Sequence, residues 1–70
     1  MNEPKVGDVW EYKNESCTTR QYVTRVTKDR VFYQYRPHGQ KAAEFDFAIG
    51  LFQFGARLIE RDGKAVPDVL

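Results

Sequence analysis

Few side chains in this sequence could perform covalent chemistry, and their spacing does not gather them. Nucleophilic catalysis needs an activated nucleophile with a base in reach. Cys17 and His38 are the one such pair, since the chain has a single cysteine and a single histidine. They fall in two different polar, turn-like segments, so each reads as a structural or surface residue. A lone cysteine excludes an internal disulfide and any multi-cysteine metal site, and a lone histidine excludes a site built from two imidazoles. Paired carboxylates could act as acid and base or hold a divalent cation. Glu44 and Asp46 lie two apart on one expected strand face, with Glu60 on a possible neighbour. Alternating charges of this kind are also what an ordinary solvent face carries. No pair of glycines has both the spacing and the partner residues of a phosphate-cradling loop. Asn14-Glu15-Ser16 has the form of a glycosylation sequon but follows no secretory leader. The expectation is a non-enzymatic protein with no cofactor and no metal.

Binding chemistry is better supplied. Arg25, Arg30 and Phe32 fall on one face of an expected hairpin, with Lys28 at its tip and Arg20 and Arg36 at its base. Arginine contacts phosphate and an exposed ring stacks on a base, as single-strand-binding barrels do. Against a nucleic-acid partner, 11 Lys+Arg face 10 Asp+Glu, a formal charge of +1. Counterion release needs uncompensated cations, and Glu44 and Asp46 are placed to pair the arginines across strands. Peptide or protein recognition fits the composition better. Ten aromatic residues plus Ile49, Leu51, Leu58 and Ile59 exceed what so small a core buries, and surplus apolar surface marks contacts, whether self-association or a host protein. The candidate contact residues are Arg25, Arg30 and Phe32 on the outer hairpin face, with Tyr12 and Phe52 from the aromatic supply.

The elements that must hold these residues are short strands. Val9 to Tyr12 forms the first, entered through Val6-Gly7-Asp8 and closed by the polar Lys13-Asn14-Glu15-Ser16. Arg20 to Arg36 is rich in β-branched and aromatic residues and reads as an antiparallel hairpin turning at Lys28-Asp29. That turn pairs Thr27 with Arg30, Val26 with Val31, Thr24 with Tyr33 and Tyr22 with Tyr35. Tyr22, Thr24, Val26, Val31, Tyr33 and Tyr35 then face inward, and Val23, Arg25, Thr27, Arg30, Phe32 and Gln34 face outward. Pro37-His38-Gly39-Gln40 is a turn. Lys41 to Phe47 is a strand with Phe45 and Phe47 inward. Ala48 to Phe54 is too densely apolar for a solvent-facing strand and reads as a helical turn capped by Gly55. Ala56 to Arg61 is the last strand, ended by Asp62-Gly63, and residues 64–70 form a tail.

Seventy residues make one small domain, here residues 1–63. A chain of this length buries only about 60% of its unfolded surface, so its rings must supply much of the core. The expected fold class is all-β, a five-stranded SH3-like small barrel with a short helical turn before the last strand. No stretch approaches the roughly 18 apolar residues of a membrane span, and the expected compartment is the cytoplasm.

Gly7-Asp8-Val9-Trp10, Arg20 opening the second strand, Val26 to Val31 across a tight turn, and the closing stretch from Phe54 to Arg61 together resemble a loose set of short phage and prophage open reading frames. The likeness covers roughly residues 5 to 63. It implies an SH3-like barrel and a phage or prophage origin, and with it a bacterial host protein as partner. It supplies no catalytic or binding residue. The compact glycine-centred signature of a KOW module is absent.

Overall fold

The computed structural model describes residues 3–66 of the chain. The β-branched and aromatic run in its middle forms the expected hairpin, β2 (Thr18–Val26) and β3 (Arg30–Gln34). Val26 pairs with Val31, and the Thr27 N–H donates to the Arg30 carbonyl at 2.9 Å, so the chain turns at Lys28-Asp29. Beyond the first two pairs the register departs from strict alternation. A bulge at Thr24 sets Val23 opposite Tyr33 and Tyr22 opposite Gln34, in place of Thr24 with Tyr33 and Tyr22 with Tyr35. One extra residue on a strand reverses the facing of everything beyond it. Val23 therefore turns inward and is fully buried. Tyr22 turns outward, edge-on to His38 at 5.5 Å. The exchange is favourable, because valine brings no polar atom into the core, whereas the Thr24 hydroxyl would need a buried partner. Outside, that hydroxyl donates to Glu44 at 2.6 Å. Of the six side chains expected inward, Val31 is buried, and Val26 and Tyr33 are partly buried against the core. Tyr35 stays half exposed.

The remaining elements are β1 (Val9–Lys13), β4 (Phe45–Ala48), α1 (Ile49–Gly55), β5 (Ala56–Arg61) and β6 (Lys64–Ala65). All pairings are antiparallel, in the order β4-β3-β2-β1-β5-β6. The fold is thus all-β with one short helix. Among the described residues there are six strands where five were expected. The sixth lies where a tail was expected: Asp62-Gly63, both with positive φ (56° and 75°), make a hairpin turn that returns Lys64 and Ala65 to β5. Residues 67–70 of that tail lie outside the described residues.

The sheet does not close through a hydrogen-bonded pair between β4 and β6. It must nonetheless curl. β4 and β5 stand four places apart, about 19 Å on a flat sheet at the usual strand spacing. α1, which joins them directly, spans only about 10 Å. The helix packs on β3, β4 and β5 and so covers the inner face. Trp10, Val23, Val31, Phe52 and Leu58 form the core beneath it. Gly55 belongs to the helix and has no left-handed backbone, so it is not the cap that was expected. A Cβ there would stand 3.3 Å from the Tyr12 ring, and its lack of a side chain lets that ring lie against the helix end.

β4 is shorter than expected, starting at Phe45 rather than Lys41. The buried Gln34 side chain accounts for this. Its Nε2 donates to the carbonyls of Arg36, Pro37 and Gln40 at 2.8, 3.0 and 3.2 Å. The loop after β3 curls around that amide instead of continuing the ladder.

Candidate functional site

Among the described residues three polar side chains are buried: Asp8, Gln21 and Gln34. What each is bonded to separates structural from functional roles, since a buried polar group without a partner is costly. Gln34 is occupied by the loop carbonyls. Asp8, 1% exposed, is fully engaged. Its Oδ2 accepts from the Lys5 backbone N–H (2.8 Å), the Trp10 indole (3.1 Å) and Arg61 (2.7 Å), and its Oδ1 accepts from Arg61 Nε at 2.9 Å. Arg61 also donates to the Glu3 carbonyl at 2.6 Å. One carboxylate therefore ties the entry turn, the core tryptophan and the end of β5 together.

Burial pushes the Asp8 carboxyl up, but Arg61 together with the Lys5 and Trp10 donors outweighs it, and the group sits below the ordinary aspartate range. A depressed carboxylate contributes stability above its unfolded value of about 3.9, and that contribution is lost as pH falls through the lower folded value. Urea midpoints followed by the single tryptophan should hold level from neutral pH to about 5 and fall steeply below about 4. An Asp8→Asn variant, already lacking the clasp, should show a much shallower acid limb when the two are compared at low temperature, where the variant keeps a folded population. Equal acid limbs would place the protonation elsewhere.

The outer face carries the hairpin residues singled out from the sequence. Arg25 pairs with Glu44 at 3.3 Å, and its guanidinium lies 3.9 Å over the Phe32 ring. Arg30 pairs with Asp46 at 2.6 Å. Arg57 and Lys13 both reach Glu11 on the same side of the sheet, at 3.3 and 3.9 Å. These cations are answered by carboxylates, and Phe32 is roofed by one of them.

Tyr12 and Phe52, the other two candidates, lie on the opposite, inner face. Trp10 and Tyr12 of β1, Thr19 and Gln21 of β2 and Tyr33 of β3 alternate onto this side, with Tyr35 just beyond β3. Phe45 and Phe47 join them from β4, and Leu51 and Phe52 from α1. The rings form a chain of contacts: Trp10 to Phe52 (5.2 Å), Phe52 to Tyr33 (5.7 Å), Tyr33 to Tyr35 (5.6 Å) and Tyr35 to Phe45 (5.2 Å). Separations in this range are those at which aromatic pairs attract. Burial and the neighbouring Tyr35 hydroxyl push the Tyr33 phenol up to about 12, so it is neutral at physiological pH.

Between Tyr12 and Tyr35 this face opens into a groove of about 220 Å³. Thr19 and Gln21 belong to β2 at its base, Tyr33, Phe47 and Phe52 form its inner walls, and Leu51 stands at its helical rim. No charged residue lines it. Gln21 is 5% exposed, and its Nε2 donates to Thr19 Oγ1 at 2.8 Å. Its Oε1 has no partner and is the one such buried side-chain atom among the described residues.

The five residues read from the sequence thus divide between two faces, three outside and two in the groove. The other groove residues were not legible as a site. Tyr33 and Tyr35 read as core, and Gln21, between Arg20 and Tyr22, has an alternation that the bulge reverses. Among the described residues no three His, Cys, Asp or Glu side chains gather as a metal site, and no helix is long and apolar enough to cross a membrane. No known family model, curated protein or solved structure matches the chain, and the site is therefore defined by its own geometry.

Proposed function

We propose that the protein is a non-enzymatic interaction module, an SH3-like barrel in kind, that holds a segment of another polypeptide in the aromatic groove of its inner face. The observation that carries this reading is the exposure of the groove's own walls. Tyr12, Tyr35 and Phe47 are 44–48% exposed and Leu51 is 61% exposed, around a neutral depression. A domain with more rings than its small core buries leaves the surplus where contact can cover it, and tyrosine is a favoured anchor of protein interfaces. At about 220 Å³ the groove is smaller than the roughly 300–1,000 Å³ of small-molecule sites, which favours a side chain over a metabolite. In the phage or prophage setting that the sequence resemblance implies, the partner is a bacterial host protein met in the cytoplasm. The outer hairpin face is the poorer candidate for nucleic acid, because Glu44 and Asp46 already hold Arg25 and Arg30.

Panning a random peptide library on the protein, then mapping the selected peptides by amide and side-chain NMR, tests this reading. Shifts should centre on Tyr12, Gln21, Tyr35 and Leu51. Tyr35→Ala and Leu51→Ala, both at exposed positions, should each weaken binding about tenfold, the effect of losing more than 1 kcal/mol at an anchor. Shifts centred on Arg25, Arg30 and Phe32, salt-sensitive DNA binding at that face, or no groove-binding peptide would each overturn it.

A further inference from the structure

We infer that the groove accepts a single indole ring, the side chain of a tryptophan on the bound polypeptide, with its N–H donated to Gln21 Oε1. The inference rests on the interaction reading above and names the residue that the groove selects.

Two independent observations converge on it. The first is the aromatic, uncharged wall of Tyr12, Tyr33, Tyr35, Phe47 and Phe52. The second is the unpartnered buried acceptor of Gln21, one of the residues lining the same space. The Gln21 Nε2 is engaged by Thr19 Oγ1, which leaves Oε1 as the open atom of that amide. The ligand group must then be flat, largely apolar and able to give one hydrogen bond. A lysine or arginine head would stack on the rings, but no carboxylate lines the groove, and a buried charge without a counter-charge is strongly disfavoured. A phenylalanine would leave Oε1 as it is. A tyrosine hydroxyl donates but also brings an acceptor that would need its own donor. Indole has one N–H donor and no acceptor, matching the one buried acceptor that is without a partner. Tyr12 and Leu51 at the mouth are exposed, and exposed side chains change rotamer quickly enough to let a ring enter.

The probe is N-acetyl-tryptophanamide, titrated into labelled protein and followed by NMR. Its comparison is the benzothienylalanine amide, in which sulfur replaces the N–H on a ring of nearly the same shape. Saturable shifts at the Gln21 side-chain amide, Tyr35 and Leu51 are expected, with the benzothienyl ring bound about tenfold more weakly, the usual net worth of one hydrogen bond. Gln21→Met keeps the length of the side chain and should bind the two rings equally. Should that variant not fold, the pair of ligands on the unaltered protein still decides. Equal affinity of the two rings, tighter binding of the benzothienyl ring, or no saturable shift overturns the inference. Library peptides that seat phenylalanine or leucine in the groove would also overturn it, while leaving the interaction reading in place.

Discussion

Asp8→Asn should destabilise the protein by about 3–5 kcal/mol, the cost of breaking a buried ion pair by removing one partner. Asparagine is nearly the same shape, so the loss is electrostatic. Arg61 would keep its place beside a neutral amide, and one of the two carboxylate oxygens that now accept from Arg61, Lys5 and Trp10 would become an NH₂ facing donors. Small domains have a total stability of the order of 5–15 kcal/mol, and one this short lies toward the lower end. The variant should therefore be substantially unfolded near physiological temperature, visible as a red-shifted Trp10 emission and collapsed amide dispersion. Arg25→Ala is the control. Its ion pair with Glu44 is solvent-exposed on both sides, where such pairs contribute about 0–1 kcal/mol. Similar losses for the two variants would mean that burial does not distinguish the two bridges.

Phe52→Ala should cost a comparable amount, about 3–5 kcal/mol, by a different mechanism. The ring is 5% exposed and touches both Trp10 and Tyr33. Removing it takes away its own transfer energy and leaves a void that the sheet can only partly close. It is also the one buried side chain of α1, so its loss frees the helix from the sheet. Phe54→Ala, two residues along, removes the same atoms from a position 92% exposed, where changes stay within about 0.5 kcal/mol. Urea midpoints of the two variants measure the contrast directly, and equal shifts would show that Phe52 does not hold the helix in place.

How far the sequence reveals this molecule depends on whether a feature is local. The Val26–Val31 pairing, a helical stretch before Ala56–Arg61 and a turn at Asp62-Gly63 are written in residues near one another and are present, although Gly55 is not the helix cap and the turn leads into β6. The bulge at Thr24 is not local. It depends on Val23 meeting the Gly7 and Asp8 backbone, through the bonds from Gly7 N–H to the Val23 carbonyl and from Val23 N–H to the Asp8 carbonyl. No alternation rule within β2 contains that information. The same slip decides the site, because it turns Gln21 inward and Tyr22 outward. Asp8 stood within a conspicuous Gly7-Asp8-Val9-Trp10 stretch, but its partner Arg61 is 53 positions away, and distance along the chain hid the role. Gln34 read as an outward polar residue because nothing in its strand announces a loop folding back over it.

The placement of β1 between β2 and β5 has a kinetic consequence. During synthesis the β2–β3 hairpin can form as soon as it leaves the ribosome, since its partners are adjacent in the chain. The first strand must wait with one edge bare until Arg61 has been made, and closing so long a loop is the slow kind of step in β-proteins. The nascent chain thus carries an unpaired β1 edge until residues 56–61 are made, and the strand that covers it also brings Arg61 to Asp8.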